Sequence, residues 1–248
     1  MNFSADGDIL YLNHDPLETK TMFIYEMHFH THPCSGGGDD IIKQIDKMKK
    51  NGFTGAFLTD HFYSGDTRID RELDWASFVG EYEKAYLRGV EYAKKVDFDL
   101  YFGIEEHIGE GLEILVYGIT PKVLYDHPEF REGRLDDYIR VVHELGGLIF
   151  QSHPYRARWY IPNPRPIERL DEIDGIEAYN ASNYPEENEK AAELARERGL
   201  KCTAGSDGHH VDSCARAGIM THVRPKSLCE MIEIMKSGNY EIYKGVTE

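Results

Sequence analysis

The stretch MHFHTH at residues 27–32 decides how the rest of the sequence is interpreted. It follows the β-branched and aromatic run TMFIY at residues 21–25, which predicts a buried strand, so the histidines lie where that strand ends. Because alternate residues of a strand point the same way, His28 and His30 share a face and are close enough to hold one metal ion. Two histidines separated by one residue also occur by chance, so this motif gains weight only from the other strand ends.

The composition indicates one globular domain with an acidic surface. The chain has 248 residues, of which 41% are hydrophobic, and single α/β barrels commonly reach this length. The formal net charge of -16, from 44 acidic against 28 basic residues, argues against broad binding to long nucleic acid or to anionic membranes. The four cysteines lack paired metal-type spacing, and there is no signal peptide and no apolar run of membrane-spanning length. We therefore expect a reduced cytoplasmic protein that does not enter membranes.

Predicted strands and helices alternate along nearly the whole chain. Residues 1–20 are interpreted as an N-terminal extension and residues 21–248 as a single domain. Strands are predicted near residues 21–25, 53–59, 99–104, 113–118, 148–151, 175–179, 201–204 and 240–243, with an apolar piece at 218–220. Helices are predicted near residues 41–48, 74–95, 135–145, 186–198 and 227–236. This alternation predicts a parallel sheet built of right-handed crossovers, and about seven units fit.

Two α/β architectures satisfy this alternation. A doubly wound open sheet gathers its functional residues at one switch point. A (β/α) barrel gathers every strand end in one ring, where barrel enzymes place their sites. Since polar residues follow almost every predicted strand, we expect a barrel of about seven parallel strands with its site at their C-terminal ends.

Side chains that can bind metals recur at the ends of the predicted strands. All are residue types that bind divalent cations such as Zn²⁺, Mn²⁺ or Fe²⁺. They are His28, His30, His61, Glu105, His153, Asp207 and His209. Seven such placements are hard to assign to chance, so the sequence predicts a metal centre in the ring of strand ends.

The order of these motifs resembles that of the PHP (polymerase and histidinol phosphatase) family. The ordered set is H-x-H, Thr59-Asp60-His61, Gly103-Ile104-Glu105, His153-Pro154 and Ser206-Asp207-Gly208-His209, within residues 25–218. The resemblance implies a distorted seven-stranded (β/α) barrel that holds two or three metal ions and hydrolyses phosphate esters.

The resemblance also implies how the ligands are shared among the metals. The first metal would be held by the four residues that are also the expected catalytic residues, namely His28, His30, Glu105 and Asp207. Glu105 would bridge to a second metal that also takes His153, while His61 and His209 would hold a third.

The chain departs from the family pattern at two positions. Family members usually add an Asp or His shortly after H-x-H, where this chain has Ser35, with Asp39 as a candidate substitute. We therefore expect the third metal to be weak or absent. Many members also carry a His just before the fourth strand, where this chain has Glu113, and His107 is the other candidate for completing the second metal site.

The predicted chemistry needs no nucleophilic side chain. Two cations about 3.5–4 Å apart can share a water, lower its pKa and clamp the phosphoryl oxygens during attack. The sequence contains neither a Gly-x-Ser-x-Gly elbow nor a Walker A loop. Arg156 and Arg158 follow the fifth strand and are the predicted phosphate contacts, although surface arginines paired with carboxylates are the alternative.

Three functions therefore stay open at this point. Hydrolysis of a small phosphomonoester is favoured. A nuclease-like phosphodiesterase acting on nucleotides or short nucleic acid is the first alternative, and a non-catalytic metal-binding module is the second.

Overall fold

Nine strands form one sheet in the computed structural model, which describes residues 22–245. They are β1 (Phe23–Phe29), β2 (Phe53–Leu58), β3 (Asp99–His107), β4 (Glu113–Tyr117), β5 (Leu148–Gln151), β6 (Gly175–Asn180), β7 (Lys201–Gly205), β8 (Ala217–Thr221) and β9 (Tyr240–Lys244). Their order in the sheet is β7-β6-β5-β4-β3-β2-β1-β8-β9. The predicted extension at residues 1–20 lies outside the described residues.

The α/β class and the barrel-like curvature are confirmed, but the prediction of about seven strands, all parallel, is wrong. β1, β2 and β3 are parallel neighbours, as are β5, β6 and β7. β4 runs antiparallel to β3 and β5, and β8 runs antiparallel to β1 and β9. Only residues 108–112 connect β3 to β4, whereas a parallel pair needs a crossover of a dozen or more residues. The direction of β4 therefore follows from the length of this loop.

The curved sheet comes close to closing between β1 and the end of β7. The His30 amide donates to the Gly208 carbonyl at 3.0 Å, and the Asp207 amide donates to the His28 carbonyl at 2.7 Å. Gly205 permits this approach, because a Cβ there would lie 2.2 Å from the Cβ of His28. The first and seventh strands thus bring their polar C-terminal ends together.

Within residues 22–245, six α-helices lie around the sheet. They are α1 (Ile41–Lys50), α2 (Trp75–Lys95), α3 (Pro121–Asp126), α4 (Leu135–Glu144), α5 (Pro185–Arg198) and α6 (Leu228–Ser237). The five longer ones are predicted by the sequence, and only the short α3 is not. Asp40 and Asp74 cap α1 and α2, since their carboxylates accept hydrogen bonds from the amides of Ile42 and Ser77.

Apolar faces of the helices pack on the sheet. Phe78 and Tyr82 of α2 are buried with Phe102 and Ile104 of β3, so the aromatic stripe of α2 belongs to the core. This packing fixes the strands and thereby the positions of the side chains at their ends. Within residues 22–245, no helix combines the length and the apolar content needed to cross a membrane.

Candidate metal centre

The strand ends bring all eight predicted metal ligands into one cluster. The cluster consists of His28, His30, His61, Glu105, Glu113, His153, Asp207 and His209. Their donor atoms form four overlapping triads, and in each triad the atoms lie within 4.8 Å of one another. Glu113 belongs to this ring because β4 runs antiparallel, which puts its first residue at the end where the neighbouring strands finish.

The four side chains that the resemblance assigns to the first metal, here called the first group, have the spacing of a metal site. His28 Nε2 lies 3.1 Å from His30 Nε2 and 3.3 Å from Glu105 Oε1. Asp207 Oδ1 lies 3.1 Å from His30 Nε2 and 3.7 Å from His28 Nε2. Bonds of 2.0–2.1 Å in a tetrahedral zinc site place neighbouring donor atoms about 3.3 Å apart. These four side chains therefore fit a single cation, as the resemblance implies.

A second group, formed by His153, His61 and Glu113, also meets at the Glu105 carboxylate. His153 Nε2 lies 3.0 Å from Glu105 Oε1 and 3.5 Å from Glu113 Oε2. His61 Nδ1 lies 3.1 Å from Glu105 Oε2 and 3.9 Å from Glu113 Oε1. The structure thus places Glu113 beside His153, whereas His107 Nε2 accepts a hydrogen bond from the Gly111 amide.

The third group consists of three stacked imidazoles. The ring of His30 lies 4.2 Å from that of His61 and 4.3 Å from that of His209, measured between centroids. Ser35, which stands where the family adds a ligand, is buried and donates its hydroxyl to Asp60 at 2.8 Å. The Asp39 carboxylate accepts a hydrogen bond from the Val211 amide instead of joining this group.

The interior of the centre contains polar atoms that no protein group satisfies. Among the described residues, His61 Nδ1 and Glu105 Oε2 are buried and 3.1 Å apart, yet neither makes a hydrogen bond. Buried polar atoms normally have a partner, and leaving one unsatisfied costs about 1–3 kcal/mol. A divalent cation would satisfy both atoms, so the residues present fit a metal.

The charge balance of the centre also fits bound cations. Glu105, Glu113, Asp207 and Glu177 bring four carboxylates into a largely buried space, where the guanidinium of Arg156 pairs with Asp207. Buried charges are normally paired or coordinated to metals. Divalent cations would supply the missing positive charge.

The pKa values reflect this crowding. Burial alone would raise the pKa of Glu105, but His28 and His153 hold it well below the usual range. Burial and the neighbouring Glu105 raise the pKa of Glu113 to about 6. Burial lowers the pKa of His30 well below its usual value, and His61 adds to this effect. Glu105 therefore favours its charged form, whereas Glu113 is held closer to neutrality although His153 and His61 face it.

Two of the predicted ligands lie at strained backbone positions. His153 has a φ of 28° and Asp207 a φ of 50°, in the left-handed region that non-glycine residues rarely adopt. Both residues come shortly after a strand, β5 for His153 and β7 for Asp207. Strain of this kind clusters at functional sites, because the surrounding structure must hold it in place.

A cavity of about 560 Å³ opens above the centre. Its floor is formed by His61, Glu113, His153, Asp207 and His209, and Trp159 with Tyr160 forms part of its wall. The cavity therefore gives a small molecule access to the cluster. A pocket of this size matches those that hold small ligands.

The two predicted phosphate contacts lie in different surroundings. Arg156 lines the cavity, where it pairs with Asp207 and donates to Asn180 at 2.9 Å. Arg158 pairs with Glu187 at 2.7 Å, outside the residues that line the cavity. Substrate binding by either arginine stays a prediction, and the geometry favours Arg156.

Sequence reasoning missed one buried carboxylate of the centre. Glu177 of β6 contacts His28 and the backbone of His153, although the strand contributes no predicted ligand. The available signal was a lone carboxylate inside the apolar strand Gly175–Asn180, since a buried charged side chain needs a specific partner.

One family model matches the C-terminal part of the chain. The PHP-associated family PHP_C matches residues 185–238, which include Asp207 and His209 and cover well under half of the chain. Among curated proteins, no sequence matches this chain.

Solved structures share the fold at low sequence identity. A two-domain protein from Bacteroides vulgatus, containing a predicted PHP-like metal-dependent phosphoesterase, has a TM-score of 0.68 and 16% identity. The likeness covers 91% of this chain and 65% of that one, so the present chain spans less than two thirds of that protein. A proposed metal-dependent phosphoesterase from Bifidobacterium adolescentis has a TM-score of 0.51 and 16% identity, covering 75% of this chain and 87% of that one.

An endonuclease also shares the fold. The lesion-specific endonuclease from Pyrococcus furiosus has a TM-score of 0.59 and 15% identity, covering 90% of this chain and 58% of that one. At such identities the likeness establishes the fold and leaves substrates open. Taken with the ordered motifs, the family-model match and the shared fold confirm the predicted resemblance of this chain to the PHP family.

Proposed function

We propose that the protein is a metal-dependent phosphoesterase that hydrolyses small phosphomonoesters at a centre of two or three divalent cations. The observation that carries this proposal is the convergence of eight histidine and carboxylate side chains on one cavity. Zn²⁺, Mn²⁺ and Fe²⁺ are the candidate metals, because the donor set mixes imidazole nitrogen with carboxylate oxygen.

The histidine and carboxylate side chains of the cluster would be divided among the cations. The first cation would be held by His28, His30, Glu105 and Asp207. A second cation would be held by His153, Glu113 and the shared Glu105. Bound divalent ions would lower the pKa of a water toward neutrality and neutralise charge on the phosphoryl oxygens. His61 and His209 would take a third cation, for which Ser35 offers no carboxylate or imidazole ligand.

The residues that line the cavity would orient the substrate. Arg156 is the candidate phosphate contact, since its guanidinium lies beside Asp207 at the floor of the cavity. A guanidinium can pair with a phosphate through two hydrogen bonds. Trp159 is 95% exposed at the rim, and a leaving group would contact this side of the cavity.

The proposal is tested with protein whose metal content has been measured. Metal-loaded protein is assayed on phosphomonoesters and on matched phosphodiesters, including 4-nitrophenyl phosphate and bis(4-nitrophenyl) phosphate. We expect turnover of monoesters that is lost on chelation and restored by one of the candidate metals. Metal-loaded protein that hydrolyses neither class would contradict the proposal and favour the non-catalytic metal-binding module.

A nuclease-like activity is the second candidate, because an endonuclease shares the fold. Against it stands the net charge of -16, which should repel a polyanion. Duplex DNA should therefore bind weakly at physiological salt. Tight, salt-sensitive binding together with diester cleavage would favour the nuclease, while cleavage of single nucleotides would fit the small-substrate proposal.

A further inference from the structure

Glu177 is a buried carboxylate that touches two of the proposed ligands without joining the ring of donor atoms. It lies on β6, and 1% of its surface is exposed. Its Oε1 lies 3.0 Å from Nδ1 of His28. Its Oε2 accepts hydrogen bonds from the His153 amide at 3.0 Å and from Asn180 Nδ2 at 2.9 Å. Glu177 therefore contacts His28 of the first group and His153 of the second group at atoms that do not face the metal centre.

The contact with His28 fixes which nitrogen that imidazole presents to the centre. A carboxylate can only accept, so the short contact to Glu177 requires the proton of His28 on Nδ1. In the neutral imidazole the opposite nitrogen, Nε2, then carries the free lone pair. That Nε2 atom lies 3.3 Å from Glu105 Oε1, on the side where the donor atoms meet.

The contact with His153 acts on the backbone. His153 has a φ of 28°, a strained value, and its amide is held by Glu177. This hydrogen bond fixes the turn after β5 that directs the imidazole toward Glu105. Its loss would let the turn relax and move the ring.

A further chain of hydrogen bonds reaches a third ligand. Asn180, which donates to Glu177, accepts a hydrogen bond from Arg156 Nη2 at 2.9 Å. Arg156 in turn pairs with Asp207. Glu177 is thus connected to one proposed ligand on β1 and to two others that follow β5 and β7.

We propose that Glu177 is a positioning residue of the metal centre, which holds His28 in the Nδ1–H form and fixes the backbone of His153. This inference rests on the metal-dependent function proposed above. Carboxylates that hydrogen-bond the outer nitrogen of a ligating histidine typically affect metal affinity or activity by about 10- to 100-fold. Glu177 would act through the two histidines and would not itself bind metal or substrate.

Glu177→Gln is the informative substitution. An amide keeps the size but accepts at only one end, whereas the two carboxylate oxygens face donors from His28, His153 and Asn180. We expect the Zn²⁺ affinity, measured by competition with a chromophoric chelator, to fall roughly 10- to 100-fold. Turnover at saturating metal should fall less than turnover at limiting metal.

Glu187→Gln is the matched control. Glu187 is also buried and accepts hydrogen bonds from the amides of Ala157 and Tyr184, but it contacts none of the proposed ligands. This control should lose thermal stability and keep the Zn²⁺ affinity of the parent. A Glu177→Gln protein that is folded and binds Zn²⁺ as tightly as the parent would overturn the inference.

A second measurement uses the parent protein and needs no variant. In the Zn²⁺-loaded protein, ¹⁵N spectra of the imidazoles should show the His28 proton on Nδ1. A proton on Nε2 would overturn the inference even if Glu177→Gln does not fold. Parent protein that binds no metal would instead refute the proposed function, so the two failures are distinguishable.

Discussion

Glu105 Oε1 lies 3.0 Å from His153 Nε2, although the two residues are 48 positions apart in the chain. The same oxygen lies 3.3 Å from His28 Nε2, while Oε2 faces His30 at 3.4 Å and His61 at 3.1 Å. Each oxygen of this carboxylate therefore faces a different pair of imidazoles. Because each oxygen faces one imidazole of the first group and one of the second, Glu105 is the carboxylate that the two groups share and the central residue of the cluster.

Replacing Glu105 by glutamine should remove much of the metal and of the activity. The change keeps the size but removes the charge and one acceptor, so the side chain can no longer bridge two cations. We expect metal content to fall and kcat on phosphate esters to drop roughly 10²-fold or more. Elemental analysis and steady-state kinetics on the same preparation check this prediction.

Glu106→Gln is the control for that experiment. Strand alternation turns Glu106 away from the centre, and its Oε1 accepts a hydrogen bond from the Ser64 amide. Burial raises the pKa of Glu106 to about 8, so the side chain is largely neutral near pH 7 and glutamine resembles it. Activity should stay within a few-fold of the parent. Loss of metal in this variant, with full retention in Glu105→Gln, would reverse the assignment.

Metal content is predicted to exceed one ion per chain. The first and second groups of donors share Glu105 but otherwise use different side chains, so two cations can bind together. Protein purified without chelator, or reconstituted with Mn²⁺, Zn²⁺ or Fe²⁺, should contain at least two ions per chain by elemental analysis. A value below one after reconstitution would rule out a multinuclear centre.

The two arginines after β5 should differ in their effect on catalysis. Arg156 lines the cavity and pairs with Asp207, whereas Arg158 pairs with Glu187 outside it. Arg156→Ala should lower kcat/KM by roughly tenfold or more, since a buried pair and a phosphate contact are both lost. Arg158→Ala should change kcat/KM only a few-fold. Equal kinetic losses in the two variants would argue against a specific role for Arg156.

Glu187 should contribute to stability in a pH-dependent manner. Burial would raise its pKa, but hydrogen bonds from the Ala157 and Tyr184 amides and from Arg158 lower it below the ordinary 4.5. A lowered folded-state pKa gives stabilisation that is present above the unfolded value and is lost as the pH falls through the folded value. Glu187→Gln should therefore cost about 1–3 kcal/mol near neutrality and less below the ordinary pKa.

Urea unfolding of chelator-treated protein measures this difference. The gap in the free energy of unfolding between parent and Glu187→Gln should be constant from about pH 7 to pH 5 and narrow below it. A gap that widens on acidification would show that Glu187 is not stabilised in its charged form.

The sequence alone predicts most of the helices and strands and the residues that gather at the strand ends, because these depend on local patterns. Periodicity predicts the five longer helices, and Asp40 and Asp74 provide the caps that start two of them. Side chains at strand ends predict the cluster, since the ends of neighbouring parallel strands meet at one edge. The order of the motifs then indicates that the chain resembles the PHP family.

Only the tertiary structure decides which strand ends meet and which other side chains hydrogen-bond to the predicted ligands. The antiparallel course of β4 brings Glu113, its first residue, beside His153, and an all-parallel sheet would have placed it at the opposite end. Glu177 contacts His28 from a strand 149 residues later in the chain. Local patterns cannot predict such partners. Periodicity indicates which face of an element is buried, but it does not indicate which distant atom a buried carboxylate contacts.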